Sequence, residues 1–60
     1  MSERLLRLPK VVDRTGLSKP SIYRLIQTGD FPKPRRVGKR AVAWLDSEIS
    51  EFINSLEVAV

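Results

Sequence analysis

The chain has no cysteine and no histidine. Disulfides and thiolate nucleophiles are therefore excluded, and the usual zinc ligands are missing. No apolar run approaches the roughly 20 residues that cross a bilayer. Met1 opens the chain without an apolar leader, so the expectation is a soluble, cytoplasmic protein. Glycine is scarce as well: Gly16, Gly29 and Gly38 stand apart, and no glycine-rich phosphate loop can be built from them. An enzyme would need an activated nucleophile, a paired acid and base, or a metal. Hydroxyls and carboxylates occur here only where caps and turns already want them. We expect no catalysis, no cofactor and no metal.

Bases are missing from one part of the chain. All 11 Lys and Arg fall within residues 1–45, beside Glu3, Asp13 and Asp30, whereas residues 46–60 hold Asp46, Glu48, Glu51 and Glu57 and no base. Residues 1–45 thus carry a formal charge of +8 and residues 46–60 one of −4, which together give the net +4. Such asymmetry fits one face for a polyanion and a tail turned away from it. A chain of 60 residues suits one small domain, 1–60, which must bury nearly all its large apolar side chains.

The clearest local pattern runs from Thr15 to Gly29. Gly16 can take the left-handed conformation that closes a helix, Leu17 can enter the core, and Ser18 suits the N-cap of a second helix. Pro9 and Pro20 suit the first turns of these two helices, residues 10–15 and 19–28, because a first-turn N–H has no partner to lose. Ile22, Leu25 and Ile26 follow the i, i+3, i+4 spacing of a core-facing stripe. Pro20, Arg24 and Gln27 lie opposite, with Tyr23 on the flank. The sequence therefore reads as helix, turn, helix.

The flanks are shorter. Residues 2–8, with Leu5, Leu6 and Leu8 among Arg4 and Arg7, predict a short strand or an extended arm. Phe31–Pro34 cannot be helical, and Phe31 is expected to anchor that link. Arg35–Leu45 reads as a two-stranded hairpin with a basic tip around Gly38, which in this context is a wing. Asp46 or Ser47 is expected to cap a last helix, with Glu48 and Glu51 near its positive end. Ile49, Phe52, Ile53 and Leu56 should pack it inward, and residues 57–60 should fray. The fold class is mainly α with a small β hairpin, a winged helix-turn-helix.

The exposed groups suit duplex DNA. Arg24 can bond guanine bidentately and Gln27 adenine. Lys19 and Ser21, at a helix N-terminus, suit phosphate. Ser18 is first a cap, although a cap does not preclude a DNA contact. Tyr23 is either a phosphate contact or a core-rim tyrosine. Arg35, Arg36, Lys39 and Arg40 can line a minor groove or flank a phosphate backbone, and Arg40 has the further options of stacking on Trp44 or pairing with a carboxylate of the last helix. Trp44 itself reads as core. The DNA-binding set is thus Lys19, Ser21, Tyr23, Arg24, Gln27, Arg35, Arg36, Lys39 and Arg40. The rival reading is a protein-interaction module, such as an antitoxin or inhibitor, that holds an acidic partner on this basic face. No helix is both basic and strongly amphipathic, so no membrane partner is expected.

Leu5–Leu8, Val11 and Val12, TGLSKPSIYRLI at Thr15–Ile26, GDFPKPRRVGKRAVAW at Gly29–Trp44 and SEISEFI at Ser47–Ile53 together resemble the AlpA family of phage and prophage regulators. Its members resemble MerR-type winged helix-turn-helix domains and excisionases. The resemblance implies a DNA-binding protein of a mobile element that activates an integrase gene or acts as a recombination directionality factor. It places the recognition helix at Lys19–Thr28 and the wing at Arg35–Arg40. A cognate integrase, and several copies side by side on DNA, are the further partners expected.

Overall fold

Two left-handed glycines end the first two helices in the computed structural model, which describes residues 3–59. The elements are β1 (Leu5–Leu6), α1 (Leu8–Thr15), α2 (Lys19–Thr28), β2 (Arg35–Arg36), β3 (Val42–Leu45) and α3 (Asp46–Ser55). The expected first strand is thus Leu5–Leu6; its anticipated start at Ser2 lies outside the described residues.

The turn between α1 and α2 is closed by local chemistry. Gly16, at φ 73°, donates its N–H to the Val12 carbonyl at 2.8 Å. Thr15 Oγ1 donates to the Val11 carbonyl at 2.8 Å and accepts from the Leu17 N–H at 3.3 Å, which holds Leu17 against the core. Ser18 caps α2 as expected, accepting from the Ser21 N–H at 3.4 Å. At the other end Gly29, at φ 84°, and Asp30 donate to the carbonyls of Ile26 and Leu25 at 3.1 and 2.8 Å, the paired bonds of a Schellman ending.

The sheet has the order β1-β3-β2, both pairs antiparallel. Leu5 faces Leu45 and Leu6 faces Trp44, while Arg35 faces Ala43 and Arg36 faces Val42. The hairpin is therefore two of three strands, the third coming from the N-terminal segment.

Leu6, Val11, Ile22, Phe31, Trp44 and Ile49 form the core, with Leu25, Ile26, Phe52 and Ile53 packed on it. Trp44 is fully buried, and its indole N–H donates to the Pro32 carbonyl at 2.9 Å. The Phe31 and Phe52 rings lie 4.6 Å apart at 58°, the tilted packing that aromatic quadrupoles favour.

Two expectations about α3 are corrected. Neither Asp46 nor Ser47 caps it, because β3 runs directly into the helix and both residues already lie inside its first turn. Leu45 holds the N-cap position without a side-chain bond. The task passes to Glu3, whose carboxylate accepts from the Ser47 N–H at 3.2 Å and its hydroxyl at 2.8 Å. Asp46 instead pairs with Arg14 of α1 and donates its N–H to the Arg4 carbonyl at 2.8 Å. Leu56 is not core: α3 stops at Ser55, the backbone turns extended at Leu56 (φ −73°, ψ 139°), and the side chain is 58% exposed. The i+7 spacing holds only while a helix continues.

Candidate nucleic-acid interface

Burial of Ile22, with Leu25 and Ile26 half-buried, fixes which way α2 faces. Lys19, Pro20, Tyr23, Arg24 and Gln27 are all left exposed. Among the described residues, neither Lys19 nor Arg24 enters an ion pair, so their donors are not committed within the chain. Tyr23 stands at the rim, 38% exposed.

Ser18 and Ser21 act together. The Ser18 hydroxyl donates to the Ser21 hydroxyl oxygen at 3.0 Å while accepting the Ser21 N–H. Ser21 is thereby half-buried inside the cap, yet its own hydroxyl proton is left to donate outward. α2 has no acid in its first turn, so nothing neutralises the partial positive charge of its N-terminus beside Lys19.

Residues 29–34 connect α2 to the wing, and this link is held at two points: Phe31 by burial and Pro32 by the Trp44 indole. The wing turn closes through the Val37 N–H, which donates to the Ala41 carbonyl at 2.9 Å. Arg36, Lys39 and Arg40 are exposed and free of ion pairs among the described residues. Arg35 differs: its guanidinium lies 3.4 Å from Glu48 of α3. Neither option for Arg40 beyond DNA contact is realised among the described residues, since no cation–π contact involves Trp44 and the carboxylate pairing of this region goes to Arg35.

Three structural roles around this surface were not read from the sequence. Thr15 bonds both sides of the turn, a role that the reach of Thr to a carbonyl four residues back could have suggested. The Glu3 cap and the Arg14–Asp46 pair join segments 44 and 32 residues apart, which no local pattern signals. Hydrogen bonds from Ser47, first from its hydroxyl and then from its backbone, hold the Glu3 carboxyl below its ordinary value.

Residues 4–57 match the family described as prophage CP4-57 regulatory protein (AlpA). The chain is 45% identical over 51 residues to the uncharacterized protein ORF88 of Enterobacteria phage P4, covering 85% of this chain and 58% of that protein. It is 35% identical over 57 residues to the DNA-binding transcriptional activator AlpA of Escherichia coli strain K12, covering 85% of this chain and 81% of that one. A match that takes in the turn, the link, the wing and all of α3 spans nearly the whole chain, and on this ground the chain belongs to the AlpA family of prophage regulatory proteins.

Proposed function

We propose that this chain is a DNA-binding transcriptional regulator of prophage origin, with α2 in the major groove and the wing on the phosphate backbone or in the minor groove. The observation that carries the reading is the outward face of α2: Arg24 and Gln27 stand exposed on a helix whose opposite side is locked into the core. Arg24 and Gln27 read base edges; Lys19, Ser21 and Tyr23 touch phosphates; Arg35, Arg36, Lys39 and Arg40 supply most of the affinity. The relative in Escherichia coli, itself a DNA-binding transcriptional activator, supports the same reading.

Within that class we assign the chain to control of an integrase gene, to recombination directionality, or to both, since one domain serves either task. In that role this chain acts through several adjacent copies on DNA, and a cognate integrase is its further partner. A promoter reporter and an excision assay run in parallel separate the two tasks. Footprinting on the element's attachment site and integrase promoter tests the underlying reading. With about five phosphate contacts, log K falls against log salt with a slope near −4.5. Binding without sequence preference, together with partner capture that survives nuclease, would instead favour the protein-interaction module.

A further inference from the structure

An open groove of about 440 Å³ lies between the end of α2 and α3. Its apolar lining comes from Phe31, Pro32 and Phe52, and its rim carries three carboxylates, Asp30, Glu48 and Glu51. Glu51 has no partner among the described residues, and one Glu48 oxygen, Oε1, is shielded from solvent without any hydrogen bond. The surface calls for a segment that carries both an apolar side chain and cations.

The chain itself contains such a segment. Leu5 is 54% exposed in β1, and Arg4, Arg7 and Lys10 around it are exposed and make no ion pair among the described residues. Leu5 and Arg7, two positions apart in extended backbone, project to the same side, away from the buried Leu6. None of these four residues belongs to the proposed DNA contacts.

This arm cannot reach its own groove. It forms one edge of the sheet, whereas Arg35, at the opposite edge, is the strand residue joined to the groove through Glu48. The Arg4 carbonyl is held by the Asp46 N–H at 2.8 Å and Glu3 by Ser47, so the arm is tied down on both sides of residue 4. Only another molecule can bring the two surfaces together.

We propose that the acidic groove receives the Arg4–Arg7 arm of a second copy of this chain, Leu5 against Pro32 and Phe52 and the arm's cations against Glu51 and Asp30. Because the arm and the groove are different patches, the contact is head to tail and repeats along a row instead of closing as a twofold dimer. The proposal deepens the reading of adjacent copies on DNA and rests on that reading only for its setting. The surface is small, so the contact is weak in free solution and matters where DNA already lines the copies up.

The test exploits the absence of native cysteine. Leu5→Cys and Ser55→Cys proteins, mixed under mild oxidation without DNA, should form a disulfide-linked dimer several-fold faster than Leu5→Cys mixed with Asp13→Cys. Glu51→Lys in the Ser55→Cys protein should abolish that advantage, and Arg7→Glu in its Leu5→Cys partner should restore it. Trp44 emission verifies that each variant is folded. Equal linking rates in the matched and control mixtures, or no restoration by the paired reversal, would overturn the contact. On a duplex long enough for several copies, Glu51→Lys should bring the Hill slope down toward 1 and added Arg7→Glu should raise it again. Absence of any duplex binding would remove the DNA reading, while the linking rates would still decide the contact.

Discussion

Arg35 of the wing lies 3.4 Å from Glu48 of α3, the one ion pair among the described residues that involves a proposed DNA contact. Both side chains are partly solvated, at 57% and 33% exposure, so the pair itself adds little stability. Its consequence is for binding, because a phosphate must compete with Glu48 for the guanidinium. Glu48→Gln should therefore tighten duplex binding a few-fold and steepen the salt dependence by up to about 0.9, the value for a contact wholly suppressed in the parent. Titrations at four salt concentrations check both; an unchanged affinity and slope would show that Glu48 does not compete with phosphate for Arg35.

Helix and wing should fail differently. Arg24→Ala or Gln27→Ala should cost about 1–3 kcal/mol on the preferred site and relax preference at one base position. Arg36→Ala or Lys39→Ala should weaken all sequences alike and reduce the salt slope by about 0.9 each. Competition binding against a library of single-base site variants distinguishes the two patterns. A wing variant that changed sequence preference would move that residue from backbone contact to base reading.

The Glu3 carboxyl is lowered from its ordinary value of 4.5 by its bonds to Ser47. A group with a depressed folded value stabilises the protein above its unfolded value, and that contribution is lost as pH falls through the folded one. The Tm difference between the parent and Glu3→Gln should thus be full at pH 6 and shrink below about pH 4. Thermal melts across that range decide; a difference independent of pH would mean that the carboxylate charge is not what closes the start of α3.

Trp44→Phe keeps an aromatic in the core but leaves the Pro32 carbonyl without its donor. The cost should be about 1–3 kcal/mol, the range for a polar group left unpaired. Ile22→Ala, at a fully buried position, should cost about 2–5 kcal/mol, enough to unfold much of so small a domain. Urea denaturation followed by circular dichroism measures both. A loss of duplex binding in Trp44→Phe larger than its loss of folded fraction would show that the Pro32 bond also sets the position of the wing.

Local rules were sufficient for the helix-turn-helix. Gly16, Ser18, Pro20 and Gly29 carry out the stop, cap and start assigned to them because each role depends on the residue's own backbone preference or on a partner within five positions. The inward stripe of Ile22, Leu25 and Ile26 followed from helical period alone, and it determines which residues α2 leaves outside. Family membership was legible for the same reason, since the motifs are contiguous.

What the tertiary structure decided lies between distant segments. The cap of α3 passed from Asp46 or Ser47 to Glu3, Asp46 turned to Arg14, Arg35 was drawn to Glu48, and Leu56 left the core when α3 ended one residue before it. None of these depends on a residue's own preference. The three pairings are set by β1 and β2 each joining β3 and by β3 running straight into α3, which bring together groups that lie far apart along the chain, while Leu56 is set by where α3 ends. Sequence by itself thus determined which groups of α2 are available to a partner, and packing decided which cations of the wing are already engaged.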